Sequence, residues 1–121
     1  MDNHEQINYV EFPSRDLEKT KAFFIEAFGW QFTDYGPEYS AFSGAGLDGG
    51  FFQGDMHSST ASGAALIVLY SSDLEDTLQK VERCGARVVK PIFPFPGGRR
   101  FHFTEPCGNE FAVWSDKGLQ N

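Results

Sequence analysis

The chain has 121 residues, 40% of them hydrophobic and 16% aromatic, which fits one folded domain and argues against a disordered segment. Its formal net charge is −7 and its one basic pair is Arg99 and Arg100, so no basic stripe exists to neutralise the phosphates of a nucleic acid. No apolar run approaches the roughly 20 residues that span a bilayer, and residues 1–6 lack the basic start and apolar stretch of a signal peptide. A cytoplasmic protein with reduced thiols at Cys84 and Cys107, without nucleic-acid or membrane partners, is the expectation.

The first predicted element is an alternating, strand-like run from Tyr9 to Phe12. A Ser-Arg-Asp turn at 14–16 follows, whose short side chains suit the exposed amides of a helix start. The helix after it carries Leu17, Phe24 and Phe28 on one stripe, and Gly29 suits the left-handed residue that ends it. Three shorter strands are predicted near 30–33, 39–42 and 50–53. The polar stretch 53–63 links this unit to a second one. That unit opens with a strand at 66–70, a Ser-Asp turn at 72–73 and a helix carrying Leu74, Leu78 and Val81, closed by Gly85. Its further strands are predicted near 86–89, 100–104 and 110–115, with the Pro- and Gly-rich stretch 91–98 read as a connection.

The two units repeat in register. An offset of 57 residues carries Asp16 onto Asp73, Val10 onto Ile67, Phe12 onto Leu69, Ser14 onto Ser71 and Leu17 onto Leu74. The expected architecture is α+β: two tandem βαβββ modules, at about 6–55 and about 64–116 with a linker at about 56–63. Neither half buries enough surface alone, so 1–121 is read as one domain.

Three stretches carry a family resemblance. The first runs from Val10-Glu-Phe-Pro-Ser-Arg-Asp-Leu-Glu to Phe28-Gly-Trp30, and the second from Ser72-Asp-Leu-Glu75 to Gly85. The third is Phe103-Thr-Glu-Pro-Cys-Gly-Asn-Glu-Phe111, in which Glu105 stands where the motif usually has Asp. Together they resemble the glyoxalase / bleomycin resistance / dioxygenase superfamily, also called vicinal oxygen chelate proteins. The resemblance implies two modules whose sheets curl into an open cup. It implies a divalent ion in the metal-dependent members, held from the first and last strand of each module, and frequent pairing as a homodimer.

Carried onto this sequence, the first-strand ligand position falls on Tyr9 and its repeat mate on Leu66. The last-strand position falls on Ala112, matched in the first module by Gln53, or by Phe52 if the register slips by one. Metal sites of this kind use imidazole and carboxylate lone pairs, which leucine and alanine lack and which amide or phenol cannot replace. No metal and no cofactor are therefore expected. His4 and His57 lie in a terminus and a linker, and His102 is read as a hydrogen-bonded strand residue.

Strand alternation puts Val10, Phe12, Ile67, Leu69, Phe101, Phe103, Phe111 and Val113 beneath the helices. Their neighbours then face the cup: Tyr9, Glu11, Gln53, Leu66, Val68, Tyr70, Arg100, His102, Ala112 and Trp114. Mostly apolar walls with a few polar groups match a small-molecule site. Three readings stay open. In one, the cup binds a small organic molecule without metal. In another, a metal-independent lyase or isomerase uses Glu11 or His102 as acid or base. In the third, phenylalanines fill the cup and the domain serves protein contacts. Glu11 and Arg100 can equally pair across the sheets as a structural element.

Overall fold

Residues 4–118 are described by a computed structural model. Its first half runs β1 (Tyr9–Ser14), α1 (Leu17–Phe28), β2 (Gln31–Asp34), β3 (Tyr39–Ser43) and β4 (Asp48–Gln53). The second half runs β5 (Ile67–Tyr70), α2 (Leu74–Arg83), β6 (Arg87–Phe95), β7 (Gly98–Thr104) and β8 (Glu110–Ser115). The sheets have the orders β1-β4-β3-β2 and β5-β8-β7-β6, with the first pair of each parallel and the rest antiparallel. The chain is thus α+β with two βαβββ modules, as the repeat predicts.

The repeat extends to individual hydrogen bonds. Asp16 caps α1 by accepting from the Lys19 amide at 3.2 Å, and Asp73 caps α2 by accepting from the Asp76 amide at 3.1 Å. Behind each cap a serine hydroxyl accepts from the aspartate amide and meets a threonine one turn into the helix. The pairs are Ser14 with Thr20 at 2.8 Å and Ser71 with Thr77 at 2.7 Å. Gly29, at φ 72°, closes α1 in the left-handed conformation that only glycine adopts freely.

One predicted connection is a strand. Residues 91–95 continue β6 up to a tight turn at Pro96 and Gly97, and β7 starts at Gly98. Proline is tolerated because β6 is an edge strand, and the register slips between Val88 and Lys90 and again between Lys90 and Phe93. The extension brings Phe93 and Phe95 beside Arg100.

The helix-side faces of both sheets share one core. Phe12, Phe24, Phe51, Phe101, Phe103, Phe111 and Val113 are buried in it, with Val10, Ile67 and Leu69 packed at its margin. Ten of the thirteen phenylalanines belong to this cluster or pack on it, which leaves the opposite faces of the sheets largely free of them. Among the described residues no helix is long and apolar enough to cross a membrane.

Candidate functional site

Each sheet presents its other face outward, and each carries a polar array set among aromatic rings. On the first module the array rests on β1, β3 and β4. The parallel register sets Glu11 opposite Gly50, and Ala41 of β3 opposite Gly50 on its other side. Tyr39 leans over the glycine: a Cβ on Gly50 would come within 2.1 Å of its hydroxyl oxygen. Tyr39 donates to Glu11 Oε2 at 2.8 Å. With its one proton so used, it accepts from the Tyr9 hydroxyl at 2.7 Å. Burial, together with the bonds to Tyr9 and Glu11, holds the Tyr39 phenol far above its ordinary value of 10.0.

This arrangement gives a direct expectation. Gly50→Ala pushes the Tyr39 ring aside and breaks both bonds, so the Tyr39 phenol falls back toward 10.0. Ultraviolet titration of the tyrosines, variant against parent, reads the change; an unaltered high-pH tyrosine would show that the glycine does not hold this array open.

On the second module the array is buried. Arg100 Nε and Nη2 lie 3.3 and 2.9 Å from His102 Nε2. A guanidinium only donates, so Nε2 accepts, and the His102 proton sits on Nδ1, where it is donated to Glu110 Oε2 at 2.8 Å. The other oxygen of Glu110 accepts from the Thr60 amide at 2.8 Å and the Thr60 hydroxyl at 2.9 Å. Burial raises the Glu110 carboxyl, but the bonds from Thr60 and His102 outweigh it and hold the group below 4.5. The result is a fixed chain, Thr60 to Glu110 to His102 to Arg100, that runs from the inter-module linker to the open face.

Around Arg100 the face is aromatic. Its guanidinium carbon lies 5.8 Å from the Phe93 ring centre and 5.9 Å from that of Phe95. Trp114 stands 6.2 Å from Phe95 and 5.2 Å from Tyr70, whose hydroxyl donates to Asp116 at 2.5 Å. Val68, Phe95, Gly97, Arg100 and Trp114 line a shallow recess of about 370 Å³. A larger apolar cleft of about 540 Å³ opens between Val10 and Phe12 of β1 and the strand β5, and Tyr70 is the one titratable side chain among the residues lining it.

The residues singled out from sequence thus divide between two faces. Tyr9 and Glu11 are on the first; Val68, Tyr70, Arg100, His102, Ala112 and Trp114 are on the second. Leu66 lies just ahead of β5 and lines the apolar cleft. Within one chain Glu11 and Arg100 bond to other residues, Tyr39 and His102, and not to each other. Gln53 does not occupy the place that counting assigns it. Val68 pairs with Ala112 as Glu11 pairs with Gly50, so Gly50 is the counterpart of Ala112, while Gln53 sits at the end of β4 and donates to the Arg15 carbonyl at 2.9 Å. Counting overshoots by three residues, to the last residue of β4, whereas the register centres on Gly50 in a strand that begins at Asp48.

With Gly50 in that place, the four positions that the family resemblance marks for a divalent ion carry Tyr9, Gly50, Leu66 and Ala112. These residues do not fit such an ion: three have no donor atom in the side chain and one is a phenol engaged with Tyr39. Among the described residues no group of three His, Cys, Asp or Glu side chains converges as a metal site.

Four residues escaped sequence reasoning. Glu110 was within reach, since alternation from Ala112 and Trp114 puts it on the same face. Phe93 and Phe95 were hidden by the prolines around them. Tyr39 gave no signal, because only the parallel pairing of β1 with β4 brings β3 near Glu11.

The fold is shared with proteins of known structure. The fosfomycin resistance protein FosX from Listeria monocytogenes superposes with a TM-score of 0.76 at 20% identity, over 92% of this chain and 93% of that one. A glyoxalase-related enzyme from Fulvimarina pelagi gives 0.76 at 16% identity, over 92% and 88%. FosX from Mesorhizobium loti gives 0.72 at 18%, over 92% of each. Identity this low speaks to the fold alone. No curated protein matches the sequence significantly. Residues 6–113, nearly the whole chain, match the family model described as Glyoxalase/Bleomycin resistance protein/Dioxygenase superfamily. With its paired βαβββ modules and that match, the chain belongs to the glyoxalase/bleomycin resistance protein/dioxygenase superfamily.

Proposed function

We propose that this protein binds a small organic molecule on its concave faces without a metal ion. The observation that carries the reading is the makeup of those faces: aromatic walls with a few fixed polar groups, and Gly50, Leu66 and Ala112, which carry no donor atom, at positions that the family resemblance marks for an ion. Neither the recess at Arg100 nor the apolar cleft is lined by Glu11 or Tyr39 of the first face, and Tyr9, Phe52, Val68 and Tyr70 on the two faces are exposed. A homodimer that sets the first face of one copy against the second face of another would enclose the site and cover those side chains.

Acid-base catalysis is the second reading, and one contact favours it. Glu11 is exposed on the open face and already accepts a proton-bearing partner, Tyr39. His102 suits catalysis less well, since both ring nitrogens are engaged and the residue is 3% exposed.

Native mass spectrometry of protein purified gently from its own source, without chelators or nickel columns, tests the proposal. The expected spectrum is a dimer retaining an organic mass and no metal. A stoichiometric metal adduct would overturn the metal-free reading, and a bare monomer at all concentrations would remove the intersubunit site. Glu11→Gln separates the two readings: it abolishes turnover if Glu11 is the base, and leaves a binder's retained mass in place.

A further inference from the structure

Building on the small-molecule reading, we propose that the ligand is a flat, largely apolar anion whose oxyacid group is taken by Arg100. Among the described residues no carboxylate lies within 4.0 Å of Arg100, whereas its neighbour Arg99 is paired with Glu75. A half-buried guanidinium among rings has lost part of its hydration, and it regains that energy when an anion meets it.

The donors point to the same conclusion. Nε and Nη2 share one acceptor, His102 Nε2, and Nη1 has no hydrogen-bond partner among the described residues. That leaves part of the guanidinium fork for an oxyacid in the recess that Arg100 lines. Glu110 does not cancel the charge at close range, because the His102 ring stands between the two. Instead it holds the imidazole so that Nε2 faces the arginine, which makes His102 and Glu110 positioning residues. Phe95 and Trp114, whose rings lie 6.2 Å apart at 63°, supply the walls against which a planar body packs.

Calorimetric titration of the intact protein with 2-naphthoate, 2-naphthamide and 2-naphthylmethylamine tests the inference. The three probes share a ring and differ in charge. The naphthoate should bind about tenfold more tightly than the amide, with the amine weakest. Arg100→Met should bring naphthoate down to the level of the amide, with an unchanged circular dichroism spectrum and unfolding midpoint certifying the fold of the variant. His102→Leu should weaken naphthoate alone, and His102→Gln, which can donate to Glu110 and accept from Arg100, should restore it.

Equal binding of all three probes, or preference for the amine, would overturn the anion while the small-molecule site stands. That is also the result expected if a carboxylate of a second copy already occupies Arg100. Failure of all three probes to bind would count against both readings.

Discussion

Glu105→Ala should cost about 3–5 kcal/mol of folding stability, a large part of the 5–15 kcal/mol typical of a domain. Glu105 is 2% exposed and accepts from three buried donors: the Cys107 amide, Asn109 Nδ2 at 2.8 Å and the Thr20 hydroxyl at 3.2 Å. Two opposing effects act on it. Burial pushes its carboxyl above the ordinary 4.5, and the three donors pull it down without fully compensating. For the alanine variant the donors decide the sign, because each would be left in the interior without an acceptor. Two of them also join the modules. Thr20 lies on α1, and Asn109 reaches the Pro13 carbonyl at 2.7 Å and takes the Ser58 amide at 2.8 Å on its Oδ1. Urea denaturation at fixed pH reads the loss; a change below about 1 kcal/mol would mean that water replaces the carboxylate.

The same residue gives a pH dependence whose sign differs from that of most carboxylates. A folded-state value raised above the unfolded one means that the native state holds the proton more tightly. The contribution of Glu105 is therefore complete below about pH 4.5 and declines as pH climbs through its raised value. Glu110, Asp34, Glu75 and Asp116 are all lowered, so their contributions are present at neutral pH and lost as pH falls below their ordinary values. Glu105→Gln removes the first slope and keeps the second. It loses less stability than Glu105→Ala, since one side-chain oxygen still accepts from the Cys107 amide. A stability profile above pH 5 with the same slope in parent and Glu105→Gln would show that the carboxylate does not titrate in that range.

Phe24→Ala should also cost about 3–5 kcal/mol, here through a cavity. The ring is fully buried and stacks on Trp30 at 4.3 Å and 9° and on Phe51 at 5.6 Å, and it meets Phe111 edge-on at 5.2 Å. Trp30 and Phe51 belong to the first module and Phe111 to the second, so the cavity opens where the two sheets meet. Its surroundings are rigid rings held by two sheets, which limits collapse and puts the cost toward the upper end. Phe24→Leu keeps most of the volume and should recover over half of the loss. Chemical denaturation of both variants reads these values, and similar losses would mean that ring stacking outweighs volume.

The local elements were legible in the sequence because their causes are local. Asp16 and Asp73 cap helices within three residues of themselves, and Gly29 ends α1 by its own backbone freedom. Period-two alternation sorted Phe12, Phe101, Phe103, Phe111 and Val113 into the core. In the structure the 57-residue offset extends to the Ser14–Thr20 and Ser71–Thr77 hydrogen bonds, since the same short motif folds the same way twice.

The functional face is different, because its contacts join residues far apart in the chain. Tyr39 meets Glu11 across 28 residues and Thr60 meets Glu110 across 50. Nothing in either segment names its partner. Strand register decides those meetings: starting β4 at Asp48 puts Gly50, not Gln53, opposite Glu11 and leaves room there for the Tyr39 ring. The bulges in β6 likewise aim Phe93 and Phe95 at Arg100 in a stretch whose prolines read as loop. The sequence by itself determined the modules, their caps and their core, through forces that act within a few residues or along one strand. The tertiary structure alone decided which polar groups share a face, because a shift of one residue in pairing would send each of them to the other side of its sheet.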